Sequence, residues 1–555
     1  MAPVIIADLS SQSFASSPRP TKRARLIKPL PESLLDHATV CFEEGLYTQA
    51  LSVLSSALFA GHTTNAPAYL PPAQLLSLAA TLSVHPSLTT RTLARDKHAA
   101  ADDSLRYLSL VLALTGSQDA CFANALQFHR STPTHLQTDA SRKQRTRARP
   151  SPNWNGDTEE QQDLVHSVFA GKEGLANCVD DFWSVVGWAL NCSVVHRRRW
   201  TRWQPYLSLM LDILEDDLET RSRVGTVTDS LLARYLYPIG EGRGNKRRLM
   251  RALLADGKQK SLAEFGEVWK NETKPPKQPK EHVRSTKRRK LDLENGEFGD
   301  YFDDNSDLDS PEGSSRRSRS ATAVSSKRQS RAPSPTQEAD ASDDAETYAG
   351  ARVMSDADDF SGIRAFGGMG SIHLRQRFLA LLTSFSAHAP AAFLDTEDLF
   401  DLFTEFLRPL PLPVFQHFVL PCPSYMGLHS QASLNLMLLR PLLASVAPAY
   451  NENALRQHEF ETHYAPFAAN STGVVDNAKV SLLLESLLRG LWNRDGLIGS
   501  VSLTEAVEKG IEAREVQVAN DGRRRTGARA READDAEGVL LESGERIMDV
   551  LAMIE

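Results

Sequence analysis

Apolar residues recur along this chain at spacings of three and four, and they almost never alternate. That period fits one face of an α-helix and not a pleated strand, so it restricts the fold before any motif is considered. Three stretches carry it. In residues 31–130, Leu34, Leu35, Ala38 and Phe42 make one stripe and Ala50, Leu51, Leu54 and Leu58 a second, with Gly45 as the turn between them. Pro71-Pro72 opens a third helix carrying Leu75, Leu76, Leu78, Ala79 and Leu82, and Pro86 ends it. Leu105, Leu108, Val111, Leu112 and Leu114 predict a fourth, stopped by Gly116, and Phe122, Leu126 and Phe128 a fifth. Residues 161–270 hold a dense apolar run at 181–190, an amphipathic stretch at 206–218 and a short helix through Leu231, Leu232, Tyr235 and Leu236, broken by Pro238. Residues 361–495 repeat the pattern at Phe378, Leu381, Leu382 and Phe385, at Leu399 to Leu407, at Leu434 to Leu443, and at Val480 to Trp492. The expected fold is all-α: helical hairpins stacked as an irregular α-solenoid or bundle.

The segments between these stretches lack the period. Residues 1–30 read as a disordered leader, 131–160 as a basic linker, and 496–555 as a polar, partly helical tail with a final short helix at 539–553. Residues 271–360 form a long charged insert. It is basic at its start, Ser/Arg-rich in the middle and acidic at its end. So little apolar surface cannot offset the entropy of ordering the chain, so the insert is expected to stay disordered.

Composition excludes several classes. Across 555 residues the net charge is -7, so the chain as a whole is no basic nucleic-acid binder. Five cysteines (Cys41, Cys121, Cys178, Cys192 and Cys422) are odd in number and never form CxxC, which argues against a disulfide framework or a zinc finger. No run approaches the roughly 18 apolar residues of a membrane span. The apolar run Val4 to Ile6 is too short for a signal-peptide core. The expectation is a soluble chain in the cytosol or nucleus, with no membrane partner.

Leu34, Ala38, Gly45, Tyr47, Ala50, Leu54 and Ala57 resemble the small, aromatic and apolar positions of a tetratricopeptide (TPR) repeat over residues 31–62. Small Ala residues let paired helices approach closely, and the Gly-x-Tyr step supplies a turn and an aromatic plug. His62 stands where that family has proline, and no second copy follows. The resemblance implies a helix hairpin at the start of the fold, and only weakly the peptide binding of that family.

Two basic clusters resemble nuclear-import signals: Lys22, Arg23 and Arg25, then Lys287, Arg288, Arg289 and Lys290. An extended chain can lay such side chains along the acidic groove of an import receptor, so the expected location is the nucleus. Arg197, Arg198, Arg199 and Arg202, interleaved with Trp200 and Trp203, are candidate nucleic-acid contacts, because phosphate binding and base stacking need those residue types. The competing reading packs the tryptophans into the core and lets the arginines face water or pair with Glu215, Asp216 and Asp217; the apolar surroundings favour it. Ser310 and Ser334 precede prolines and are candidate phosphosites. The glycine-rich stretches 240–246 and 367–370 lack phosphate-loop spacing and a preceding strand. No histidine pair has metal-ligand spacing on a helix, and no nucleophile elbow is present. No catalytic residue, cofactor or metal is expected. The function these features imply is that of a nuclear scaffold or adaptor subunit. It would bind other protein subunits in transcription, chromatin or DNA maintenance. Direct nucleic-acid binding through the arginines is the second reading.

Overall fold

A computed structural model describes residues 26–64, 66–128, 164–240, 242–276, 362–448, 455–494, 496–521 and 528–554. Residues 277–360 of the insert expected to be disordered, the basic linker, both import-like clusters, Ser310 and Ser334 lie outside these residues, whereas 271–276 lie within them. The described residues are all-α apart from two three-residue strands, β1 (Ile27–Pro29) and β2 (Ala68–Leu70), paired in parallel. This pair corrects the reading of residues 26–30 as leader. It is too short to carry an alternating pattern.

The helix stops foreseen in the first region are present. α1 (Glu32–Glu43) and α2 (Tyr47–Phe59) are joined at Gly45, whose φ of 76° is the left-handed conformation that favours glycine. Their meeting faces bury Ala38, Phe42, Ala50, Leu54 and Ala57. α3 (Ala73–Val84) starts after Pro72, and α4 (Arg95–Thr115) stops at Gly116. The fifth helix shrinks to a single turn, α5 (Phe122–Ala125).

The second region holds α6 (Leu175–Cys178), α7 (Phe182–Val195), α8 (Arg197–Val224), α9 (Leu231–Leu236), α10 (Arg243–Leu253) and α11 (Gln259–Glu264). The side chain of Asp181 accepts the Ser184 N–H at the start of α7, an N-cap bond. α8 runs unbroken through Pro205 and so extends well before the amphipathic stretch read at 206–218. Proline inside a helix costs about 3 kcal/mol. Here Trp200, Trp203, Leu207, Met210, Leu214 and Leu218 fall on one continuous buried stripe, and that burial outweighs the penalty.

The third region contains α12 (Met369–His388), α13 (Thr396–Leu407), α14 (Leu412–Val419), α15 (Leu428–Leu439), α16 (Gln457–His463), α17 (Val474–Trp492), α18 (Val501–Ala519) and α19 (Ala528–Ala552). The reading of 496–555 as a polar, partly helical tail ending in a short helix is corrected in extent: α18 and a 25-residue α19 belong to the packed fold. α19 lies along α17 and buries Ala533, Ala536, Leu540, Ile547, Val550 and Leu551. Its inner stripe is built partly from alanine and Ser543, which is why hydropathy under-reads it.

The described residues belong to one compact unit, and α12 packs directly on α8. None of their helices is long and apolar enough to cross a membrane.

Candidate functional site

A groove of about 490 Å³ opens where α4, α8 and α12 meet. Each helix contributes one face. Leu105 and Ser109 come from α4, Gln204, Ser208, Leu209 and Asp212 from α8, and Gly370, His373, Leu374 and Arg377 from α12. The last four are spaced i, i+3, i+4 and i+7, so they share one side of their helix. Tyr425 closes the rim from the segment between α14 and α15, its ring edge-on to His373 at 6.2 Å.

Arg377 organises the charge. Its Nη2 donates to Asp212 Oδ1 and to Glu215 Oε2, both at 2.7 Å, and its Nε donates to Glu215 Oε1 at 3.0 Å. Burial alone would lower its pKa, but the bonds to Glu215 and Asp212 outweigh that and hold it above the ordinary arginine value. Arg377 is 13% exposed, whereas Asp212 and Glu215 are 39% and 35% exposed. The cation therefore lies beneath and the carboxylates face solvent. Burial raises the Tyr425 phenol, so it stays a neutral donor and acceptor. Burial, with the nearby His373, lowers the pKa of His417. Among the described residues no group of three or more His, Cys, Asp or Glu side chains could hold a metal ion.

The arginine–tryptophan cluster is divided by the fold. Arg199 is buried, so it is withdrawn as a nucleic-acid contact. Its Nε donates to Glu272 at 3.0 Å, its Nη1 to Thr89 Oγ1 and its Nη2 to the Val84 carbonyl. Trp200 and Trp203 are buried too and are closed to base stacking. Arg202 bonds Asp102 and approaches His98. Only Arg197 and Arg198 face water. The packed reading gives these arginines two options, facing water or pairing with Glu215, Asp216 and Asp217, and the described contacts of those acids lie elsewhere. Glu215 holds Arg377, Asp216 accepts the Ser117 N–H, and Asp217 accepts the Leu231 N–H and pairs with Arg221.

Glu272 lies within the stretch read as disordered, and it is fully buried. Besides Arg199 it accepts from Trp188 Nε1 at 2.5 Å, Trp203 Nε1 at 3.3 Å and the Trp269 backbone N–H at 3.0 Å. Four converging donors stabilise a carboxylate that burial would otherwise penalise. The described residues of the glycine-rich stretches lead into helices. Gly242 precedes α10, whose Arg247, Arg248 and Arg251 pair with Glu405, Asp181 and Glu264. Gly367, at φ 82°, sits where a Cβ would come within 1.9 Å of Ser193 Oγ.

Sequence reasoning passed over every polar residue of the groove. The signal was present: His373 and Arg377 sit four apart in α12, on the side of the helix that Gly370 shares. No family model, no curated protein and no solved structure matches the chain.

Proposed function

We propose that this chain is a non-catalytic nuclear scaffold or adaptor subunit of a multiprotein complex acting in transcription, chromatin or DNA maintenance. The observation that carries this reading is how its charged side chains are used. Inside the unit, Arg199, Glu272, Arg375, Lys479, Glu485 and Arg514 are all buried and spend their hydrogen bonds on the fold. None stands poised in a pocket beside a nucleophile, as catalysis would need. The two import-like clusters, Lys22, Arg23 and Arg25 and Lys287 to Lys290, supply the basic motif that a receptor would read.

The test has two arms. A tagged chain with Lys22, Arg23, Arg25 and Lys287 to Lys290 changed to alanine should move from nucleus to cytoplasm. The unaltered chain should co-purify with the same set of proteins at stoichiometric yield. A chain that stays cytoplasmic when unaltered, or purifies alone, ends the proposal. Phosphorylation at Ser310 and Ser334 would add charge of about -1.5 to -2 each to the insert and tune these contacts. Arg197 and Arg198 remain for a direct nucleic-acid contact, but without the buried Arg199, Trp200 and Trp203 this second reading rests on two exposed charges.

A further inference from the structure

A second, much smaller cavity of about 20 Å³ lies where α12, α14 and α15 meet. Its walls are mostly carbon, and Leu379, Leu407, Phe418 and Leu434 are all buried. Gln376 of α12 lines it too and is only 7% exposed. The orientation of that amide follows from its nitrogen. Nε2 donates to the His417 carbonyl at 2.6 Å, and an amide turned the other way would set two oxygens against each other. Oε1 is therefore an acceptor, buried with no hydrogen-bond partner among the described residues. Such an oxygen bears its full desolvation penalty unless a donor reaches it.

Two further polar side chains share the wall. Gln431 of α15 commits its Nε2 to the Phe418 carbonyl and to Asn435 Oδ1, both at 3.1 Å, which leaves its own oxygen to accept. Tyr425 carries a hydroxyl that can donate or accept. Size and chemistry then select the ligand. A buried water needs roughly 10–15 Å³ and makes about three hydrogen bonds. The cavity is large enough for one water and too small for an organic molecule. We infer that one ordered water binds here, donating to Gln376 Oε1 and Gln431 Oε1 and accepting from the Tyr425 hydroxyl. It ties α12, α15 and the segment between α14 and α15 together at one point. Tyr425 also forms the rim of the groove, so the same water steadies that wall. The inference does not depend on the adaptor reading.

Crystals of the full chain, with and without xenon under pressure, test it. Density for a single water should lie within hydrogen-bond distance of Gln376 Oε1. Xenon should stay out, because it enters dry apolar cavities. Xenon in the unaltered cavity, or no water at Oε1, overturns the inference. Gln376→Met keeps the length of the side chain and removes the acceptor. In this variant the water should leave, and xenon saturation should raise the thermal midpoint more than it does for the unaltered chain. An equal shift in both chains counts against a bound water. Should the variant fail to fold, the crystals of the unaltered chain decide alone.

Discussion

Residues 26–276 and 362–554 both bury charged side chains, and they satisfy them differently. In the first region the central case is an ion pair, Arg199 with Glu272, reinforced by two indole N–H groups and a backbone N–H. In the second, the buried carboxylate Glu485 is likewise ion-paired, with Arg489 and Arg546, but three buried cations are held instead by carbonyls near helix C-termini. Arg375 donates to Leu253, Ala255 and Phe366 at 2.6–3.0 Å. Lys479 donates to Arg408 and Leu410, and Arg514 to Ala465 and Phe467. Helix C-termini expose unpaired carbonyls and the negative end of the helix dipole, so a cation there needs no carboxylate. Burial lowers the Arg375 and Arg514 pKa values only to about 9 and about 10, leaving both charged at neutral pH. The lesson is that a capped cation joins two helices with one side chain, whereas an ion pair makes each partner depend on the other.

That contrast predicts unequal costs. The largest belongs to Glu272→Gln, which keeps the oxygen that the two indole N–H groups share but turns an NH2 toward the Trp269 backbone N–H and strands Arg199. Removing one partner of a buried pair costs about 3–5 kcal/mol, to be read from urea unfolding. Adding Arg199→Met should recover part of the loss. No recovery would mean that the pair is not coupled. Next comes Arg375→Met, which frees three carbonyls and strands no opposite charge, at about 3 kcal/mol. A loss greater than that of Glu272→Gln would reverse the contrast.

A smaller effect follows from His85, beside the ion pair. Burial first, then the charges of Arg199 and Arg91, hold its pKa down at about 3. Its ring packs on Phe169 and Trp269, at 4.7 Å and 4.9 Å, and its Nε2 lies 3.2 Å from Glu173, whose half-exposed carboxylate favours the charged form less than burial disfavours it. The folded state prefers neutral imidazole, so this contribution is complete above the unfolded pKa of about 6.5 and is lost as pH falls toward 3. By pH 5 the loss is about 2 kcal/mol. His85→Leu should flatten that part of the pH–stability curve, and an unchanged slope would refute the assignment.

The smallest effect concerns the junction of the two regions. Arg375 and Arg377 bond from α12 to carbonyls and carboxylates of the first region. A protease site placed within residues 277–361 should therefore give two pieces that co-elute on gel filtration, with little change in thermal midpoint. Separation of the pieces would show that these bonds do not hold the regions together.

The sequence by itself determined the helices that begin or end on local chemistry. Gly45, Gly116, Pro72 and the Asp181 cap each act within four residues of their own position, and apolar stripes repeat every turn. A short window therefore reads them. Only the tertiary structure decided the rest. Arg377 and Glu215 are 162 residues apart, Arg375 and Leu253 122, and Arg199 and Glu272 73. Glu272 looked like part of a charged insert because its neighbours in sequence are polar, while its neighbours in space are tryptophans. α8 crosses Pro205, and α19 folds on an alanine-rich stripe, because the surfaces they cover reward it. The all-α class was legible because helical periodicity is local. The groove, and the fate of each buried charge, was not, because those depend on which stripes face each other after folding.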